Sequence, residues 1–335
     1  MTDSSRSAIP PVEPASETES DVISLDLLLE AIWRKYGYDY RDYSRASLLR
    51  RLRHRQEISG LAHLSELISP VLHDERFFRL LQQDLSIQVS EMFRDPSFYL
   101  LLREQVIPFL RTWPSIRIWF AGCAGGEEVF SFAILLQEEG LLDKTTLYAT
   151  DIIEDAINRA REGIFPIERM NAFSENYRKA GGQGSFSDFF TARYGSAIMR
   201  SFLREHIVFS VHNLATDAVF GEMTLICCRN VLIYFNQKLK NRALSLFKEA
   251  LTPGGFLCLG SREILTENNI EKTFHPFGSR ESIYRNIAPQ LGCVSGEVSR
   301  SGDKCQNGTR FSGDSSKPTS QDLFPPPGNE PPHAV

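Results

Sequence analysis

Two glutamates follow a glycine-rich turn in this sequence, a combination that could bind a small cationic ligand. The apolar run IRIWFA leads into the turn GCAGGEE, which begins at Gly122 and ends in Glu127 and Glu128, just before a segment with helical spacing. Glycines let the backbone approach a ligand closely, and the start of a helix offers free N–H groups. Two carboxylates would repel the pyrophosphate of a dinucleotide but would suit an amino or sulfonium group. The turn therefore favours S-adenosylmethionine over a nicotinamide cofactor, although first-turn glutamates can also serve only to offset the helix dipole.

Three other apolar runs end in residues that could line the same ligand. TTLYATD ends in Asp151, which could accept hydrogen bonds from both ribose hydroxyls or cap the following helix. IVFSVHNL ends in Asn213 and Leu214, where an amide and an apolar side chain could meet an adenine ring, unless the asparagine is only a turn residue. EMTLICC leads into Arg229 and Asn230. An arginine leaving a buried strand is costly unless it meets an anion or a hydrogen-bonding ligand, so this pair is also a candidate for the site.

The spacing of apolar residues indicates which elements position these side chains. From Asp21 to about residue 112 they recur three and four apart, as in LLLEAIW and LLRRLRH, which predicts helices; Asp95 and Pro96 are expected to start one of them. After Trp113 short β-rich runs alternate with helical segments, which predicts a doubly wound α/β fold with a mostly parallel sheet. Ligands of such sheets lie beyond the carboxyl ends of the strands, so the strand-end residues should share one crevice. Residues 168–205, with the turn Tyr194-Gly195-Ser196, predict a small antiparallel β insertion.

Composition limits the remaining possibilities. Residues 1–20 are rich in Pro, Ser, Thr and Glu, and residues 289–335 are rich in Pro, Ser and Gly. Both are expected to be disordered tails, which leaves a helical domain over 21–88 and a catalytic domain over 89–288. A net charge of −5 gives no overall positive field for nucleic acid. No apolar run is long enough to span a bilayer and no signal peptide is visible, so we expect a cytoplasmic protein without membrane insertion. The 6 cysteines include no CxxC pair, which predicts neither disulfides nor a metal site.

Four segments together resemble one family, the CheR-type chemotaxis receptor methyltransferases: VSEMFRDPSFY, AGCAGGEEVFSFA, ATDI and CRNVLIYF. The likeness extends over roughly residues 21–288. It implies a Rossmann-like S-adenosylmethionine-dependent methyltransferase sheet, an N-terminal all-helical domain and a small antiparallel β insertion. The implied activity is protein-glutamate O-methylation of chemoreceptors in chemotaxis-type signalling, with S-adenosyl-L-homocysteine as the product.

The resemblance also implies roles for individual residues. Arg94 and Tyr234 would lie closest to the methyl transfer, with Arg94 orienting the substrate carboxylate and Tyr234 shaping the transfer site. The usual family pattern has Asn, Thr and Phe where this sequence has Gln88, Ser90 and Met92, and Ser-Thr where it has Ala124-Gly125. These exchanges roughly keep polarity or size, so we expect cofactor binding to persist. The implied cofactor site comprises Gln88, Ser90, Arg94, Glu127, Glu128, Asp151, Asn213, Leu214, Arg229 and Asn230, and the turn residue Gly122 is added from the analysis above.

The basic run in the second predicted helix suggests how a receptor could dock. Arg50, Arg51, Arg53 and Arg55 could form a face for the acidic methylation helices of chemoreceptors, or could be a solvated face with internal salt bridges. The turn at Tyr194 lacks the glycine-containing loop of pentapeptide-binding members, which speaks against tethering to a receptor C-terminus. We expect a monomer. Alternatives are methylation of another acidic acceptor, a catalytically silent cofactor-binding regulator, and a nicotinamide oxidoreductase, the last disfavoured by the GCAGGEE turn.

Overall fold

The computed structural model describes residues 18–85, 90–263, 265, 273–278 and 282–287. Its N-terminal part is helical, as the spacing predicted. The first helix begins at Glu19, two residues inside the predicted tail, because the Thr18 hydroxyl accepts a hydrogen bond from the Asp21 N–H (3.2 Å) and caps it. The helices of this domain bury apolar residues against one another and are α1 (Glu19–Tyr36), α2 (Arg45–Ile58), α3 (Ile68–His73) and α4 (Glu75–Leu85).

The catalytic domain alternates strands and helices. Two short helices joined by a π-helical turn (Leu102–Val106) come first: α5 (Pro96–Leu101) and α6 (Ile107–Arg111). The remaining helices are α7 (Glu127–Glu138), α8 (Glu154–Glu162), α9 (Met170–Lys179), α10 (Ser201–Arg204) and α11 (Gln237–Ala250). The strands are β1 (Ile116–Ala121), β2 (Thr145–Asp151), β3 (Ile164–Pro166), β4 (Phe190–Arg193), β5 (Ser196–Met199), β6 (Ile207–Val211), β7 (Met223–Cys228), β8 (Leu251–Leu259), β9 (Phe274–Pro276) and β10 (Ile283–Asn286).

The main sheet has the doubly wound topology that the alternation predicted. In the described part of the chain its strand order is β6-β2-β1-β7-β8-β10-β9, and the first five of these strands are parallel. The chain builds outward from β1 to β2 and β6, then returns to place β7 on the other side of β1. The carboxyl ends of β1 and β7 are therefore the switch point where an open α/β sheet binds ligands. The antiparallel pair β9 and β10 was not predicted, because three- and four-residue strands leave little periodicity to detect.

A second, small sheet of order β3-β5-β4 is antiparallel, which confirms the predicted β insertion. The insertion begins at Ile164 rather than at residue 168, and helix α9 lies between β3 and β4 along the chain. The residues Tyr194 (φ 50°) and Gly195 (φ 73°) form the two-residue turn between β4 and β5, with both backbones in the left-handed region that such a hairpin requires. No helix among the described residues is long and apolar enough to cross a bilayer.

Candidate active site

One pocket opens at the carboxyl ends of β1, β2 and β7 and is bounded on another side by the helical domain. It contains most of the predicted site residues: Ser90, Arg94, Gly122, Glu128, Asp151, Leu214, Arg229, Asn230 and Tyr234. Residues that sequence reasoning did not single out also line it, and several come from the helical domain: Tyr40, Tyr43, Leu85, Glu91, Cys123, Ile152, Val231 and Phe235. The strand-end residues therefore meet in one crevice, as the fold class required.

Arg229 links three segments around the pocket. Its side chain is buried and lies over the Phe98 ring at 4.0 Å, with Nη1 donating to Glu128 Oε1 (2.6 Å) and Nη2 to Asp95 Oδ2 (2.7 Å). Burial alone would lower the pKa of Arg229, but the nearby Glu128 carboxylate, together with Tyr99 and Cys227, more than offsets this, and the pKa is raised. The anions that this strand-end arginine meets are thus two carboxylates of the protein itself, those of Glu128 and Asp95. Asp95 occupies the N-cap position of α5, yet its carboxylate binds Arg229 instead of capping the helix.

Asp151 holds the glycine-rich turn beside the pocket. Its Oδ2 accepts from the Ala124 N–H (2.9 Å) and its Oδ1 from the Ile153 N–H (3.1 Å). The N-cap of α8 is Ile153, so Asp151 braces the approach to that helix without occupying the cap position. Burial raises the pKa of the Asp151 carboxyl, although the two N–H donors work against that rise.

Glu127 and Glu128 have different surroundings, and the sequence alone did not show which of the two lines the pocket. Glu128 lines the pocket, whereas Glu127 is buried and accepts from Arg169 Nη1 (2.9 Å) at the start of the β insertion. Arg169 also donates to the Ser90 carbonyl, so it links the insertion to the linker before α5. The Oε2 of Glu127 is buried without a hydrogen-bond partner in the described structure and lies against Gly125, where an added Cβ would be only 2.6 Å away. Burial raises the pKa of Glu127.

Sequence analysis did not identify the residue that shapes the turn at Asn230. Asn230 has φ 62°, a strained value for a residue with a side chain. The buried Glu263 holds this turn, since its Oε2 accepts from the N–H groups of Asn230 (2.8 Å) and Gly260 (2.6 Å) and its Oε1 accepts from Ile233 N–H (3.2 Å). Glu263 lies far along the chain in an ordinary polar segment, and only three-dimensional proximity reveals its part.

Arg94 and Tyr234 both line the pocket, as the resemblance implied. Arg94 lies between two residues with positive φ, Phe93 (54°) and Asp95 (56°), so the linker follows an unusual path at this point. Within the described residues no hydrogen bond or ion pair engages the Arg94 guanidinium. Its cationic head is therefore available to a ligand.

The four arginines of the predicted docking face do not share one exposed surface, and their part in docking a receptor stays a prediction. Arg51 is buried and lines the pocket, where its guanidinium lies over the Tyr234 ring at 4.8 Å. Arg53 forms an ion pair with Asp21 (2.8 Å) and Arg55 pairs with Asp84, both half-buried between helices. Arg50 alone of the four is exposed. Two of the four arginines thus form ion pairs between helices of the helical domain. The four differ in this way because helical spacing distributes consecutive basic residues around the helix.

Two further predicted residues lie outside the pocket lining or outside the description. The side-chain Oδ1 of Asn213 accepts from Ala215 N–H (2.9 Å), as expected of a turn residue, while Leu214 beside it does line the pocket. Gln88 lies outside the described residues. The roles of both residues in binding a cofactor therefore remain predictions.

The donor set fits S-adenosylmethionine. Carboxylates of Glu128 and Asp151 face the pocket, the first suited to a cationic group and the second to ribose hydroxyls. Leu214, Ile152 and Val231 supply apolar walls of the kind that a purine ring requires. The unpaired Arg94 adds a cation that can meet a carboxylate.

Two family models and several known proteins match this chain. The family model of the CheR methyltransferase all-alpha domain matches residues 23–86, and that of the CheR methyltransferase SAM binding domain matches residues 88–281. A Pseudomonas putida protein that carries the methyltransferase name Cher3 is 50% identical over 270 residues, covering 81% of this chain and 98% of that protein. A Borreliella burgdorferi protein named "Chemotaxis protein methyltransferase" is 26% identical over 262 residues, covering 74% of this chain and 90% of that protein.

Among solved structures, the N-methyltransferase NodS of Bradyrhizobium japonicum in complex with S-adenosyl-L-homocysteine aligns with a TM-score of 0.33 and 15% identity, over 66% of this chain and 96% of that one. The family matches confirm the predicted fold class and the predicted cofactor, S-adenosylmethionine. The chain belongs to the CheR family of methyltransferases.

Proposed function

We propose that this methyltransferase transfers a methyl group to glutamate side chains on the cytoplasmic methylation helices of chemoreceptors. The observation that carries the proposal is a pair of arginines that line the pocket, Arg94 and Arg51, whose guanidinium groups keep free donors in the described structure. Free guanidinium donors recognise carboxylates. The relatives named "Chemotaxis protein methyltransferase", from Borreliella burgdorferi and Listeria innocua, support a chemoreceptor as the protein that supplies the carboxylate.

Arg51 is the stronger of the two signals because it is buried. Its Nη1 donates to the Leu85 carbonyl, whereas its Nε and Nη2 are buried with no partner in the described structure. Burial lowers the pKa of Arg51. Leaving buried donors unsatisfied costs about 1–3 kcal/mol each, and an incoming carboxylate would remove that cost. The role proposed for Arg51 is thus to receive the acceptor inside the pocket, which differs from the surface docking that the sequence predicted.

The chemistry requires alignment more than proton transfer. S-adenosylmethionine, when bound, supplies an electrophilic methyl group on a sulfonium sulfur. A glutamate acceptor has an ordinary pKa of about 4.3 and is already ionised at neutral pH, so the pocket needs no general base. Arg94 would orient the acceptor carboxylate and Tyr234 would shape the transfer site. Holding reactants in line can contribute about 7–11 kcal/mol to the lowering of the barrier.

The remaining parts of the proposal concern the partner and the setting. The exposed Arg50 on α2 would attract the acidic methylation helices, since it lies on the same helix as the pocket residue Arg51. We propose a cytoplasmic, monomeric enzyme that reaches its receptor without a C-terminal pentapeptide tether. The Tyr194 hairpin supports the last point, because a two-residue turn provides no loop there for such a peptide.

The direct test supplies radiolabelled S-adenosylmethionine and membranes that contain candidate chemoreceptors. Methyl esters release volatile methanol in mild alkali, whereas N-methyl groups do not, so alkali-labile label on a receptor band is the expected result. Arg94→Ala should lose most of this label, and Arg76→Ala, which removes an exposed arginine on α4, should retain it. Alkali-stable label, or label on small molecules only, would contradict receptor glutamate methylation.

A further inference from the structure

The helical domain and the segment that carries Tyr234 are joined by main-chain hydrogen bonds. The Ser44 N–H donates to the Tyr234 carbonyl (2.7 Å), and the Asn236 N–H donates to the Asp42 carbonyl (2.9 Å). Between these two bonds, Tyr43 and Phe235 form an antiparallel bridge, and their rings pack edge to face at 5.0 Å. Residues 42–44 thus act as a short strand laid against residues 234–236.

Side chains reinforce this junction. Asp42 accepts from Asn236 Nδ2 (3.1 Å) and from Lys238 Nζ (2.8 Å), and Asn236 itself caps α11 by accepting from the Leu239 N–H (2.9 Å). The Arg51 guanidinium lies over the Tyr234 ring. The helical domain therefore contacts both the backbone and the ring of this residue.

We infer that the helical domain positions Tyr234 for methyl transfer through the main-chain bridge of residues 42–44, in addition to any part it takes in receptor docking. Within the segment of Tyr234, Glu263 holds the backbone of the preceding turn at Asn230 and Ile233. The bridge adds a constraint from another domain at Tyr234 itself, whose carbonyl accepts from the Ser44 N–H. The inference rests on the role proposed for Tyr234 above, and Ser44 is a positioning residue that acts through its backbone N–H.

Ser44 offers an unusually clean test of the bridge. Its φ of −59° is the value that proline adopts, and the preceding Tyr43 lies in the bridge, with the extended backbone that suits a residue before proline. Ser44→Pro therefore removes the N–H donor with little change in backbone shape. Ser44→Ala keeps that donor, and the serine hydroxyl makes no capping hydrogen bond to α2. The two variants form a matched pair that differ in the one hydrogen bond.

The experiment measures methylation of the receptor that the wild-type protein labels, together with binding of S-adenosyl-L-homocysteine by calorimetry. Ser44→Pro should lower kcat roughly five- to tenfold, the range for loss of one hydrogen bond, while Ser44→Ala stays within about twofold of wild type. In a Tyr234→Ala background the further loss caused by Ser44→Pro should shrink to less than about twofold, because two changes that act through one side chain are not additive. An equal loss in both backgrounds, or no loss in Ser44→Pro, would overturn the inference.

Two further measurements keep the inference separate from the proposed function. If Tyr234→Ala keeps full turnover, the proposed role of Tyr234 fails and the inference fails with it; if Tyr234→Ala is inactive but Ser44→Pro is not impaired, the inference alone fails. Amide hydrogen exchange of the cofactor-free protein needs no methyl acceptor. Exchange at Asn236 should be faster in Ser44→Pro than in Ser44→Ala, and unchanged exchange would contradict the bridge. Should Ser44→Pro not fold, Asp42→Ala weakens the same junction and is expected to show the same pattern with smaller losses.

Discussion

Burial sets the charge behaviour of the carboxyl groups around the pocket. Asp151 and Glu127 both have pKa values raised above their ordinary 3.8 and 4.5, because little water reaches them. A raised pKa means that the folded, ligand-free protein takes up protons more readily than the unfolded chain. Such carboxyls favour the folded state at low pH, and this contribution is lost as the pH rises from the unfolded pKa through the folded one.

For Asp151 the same shift predicts how cofactor binding depends on pH. An ionised carboxylate accepts the ribose hydroxyl hydrogens, so affinity for S-adenosyl-L-homocysteine should fall as the pH is lowered through the raised pKa of Asp151, that is, at a pH above 3.8. Asp151→Asn should bind about tenfold more weakly at pH 8, as expected for loss of a charge-assisted hydrogen bond, and should show a flatter pH profile. Calorimetric titrations from pH 8 downward measure both quantities. Parallel profiles for the two proteins would show that another group titrates.

A second residue-scale prediction concerns Glu263. Its two oxygens accept three backbone N–H groups around the Asn230 turn, and a glutamine in its place has only one acceptor oxygen. Glu263→Gln should therefore lower the free energy of unfolding by about 1–3 kcal/mol and weaken S-adenosyl-L-homocysteine binding several-fold, since at least one buried N–H loses its partner. Urea unfolding and calorimetry provide the measurements. The control Glu249→Gln changes an exposed residue of α11 and should alter neither; equal effects in the two variants would refute the role of Glu263.

At the scale of elements, backbone strain is concentrated where the strands and the linker meet the pocket. The non-glycine residues with positive φ in the described structure are Phe93, Asp95, Ala124, Asn230 and Tyr194, and all but the last lie at or beside the pocket. Such conformations cost about 1–3 kcal/mol each and persist only where the surrounding structure imposes them. Here Arg229 holds Asp95, Asp151 holds Ala124 and Glu263 holds Asn230 through the hydrogen bonds described above.

Ala124 allows this strain to be measured. Its φ is 48°, which glycine adopts without penalty, so Ala124→Gly should raise the free energy of unfolding by about 0.5–1 kcal/mol. Ala172→Gly, an exposed position within helix α9, should instead lower it by about 1 kcal/mol, because glycine is a poor helix former. Urea unfolding of the two variants gives the comparison. A loss of stability in both would mean that the turn at Ala124 is not strained.

The elements differ in how far the sequence determines them. The helices and the five parallel strands follow from apolar periodicity, and the strand-end residues follow from the rule that ligands bind beyond the carboxyl ends of such strands. The residues that sequence analysis misplaced or did not identify are those whose roles depend on contacts between distant segments of the chain. Arg51 was assigned to the surface because a run of arginines carries no sign of which one faces inward. Glu263 could not be found because two of its three partners, Asn230 and Ile233, lie 33 and 30 residues earlier in the chain. The Tyr43–Phe235 bridge, between two domains, is the same kind of contact.

At the scale of the whole molecule, charge opposes the proposed partnership. The chain has a net charge of −5, and a receptor methylation region is also acidic, so the two should repel each other at long range. A docking interaction must then be local and stronger than this repulsion. Arg50 lies on the surface of the helix that also sends Arg51 into the pocket, so it is placed to guide an acidic helix toward the site.

Ionic strength separates the two effects, because salt screens both but with opposite consequences. If local attraction dominates, methylation at low receptor concentration should slow as salt rises from about 0.01 to 0.15 M, over which the Debye length falls from about 30 to 8 Å. Arg50→Glu should remove much of this dependence and lower kcat/KM several-fold at low salt, with kcat preserved. Arg76→Glu makes the same change in net charge on the exposed surface of α4 and serves as the control. Rates that rise with salt in the wild-type protein, or equal losses in both variants, would show that general repulsion governs the encounter and that the receptor is captured at the pocket alone.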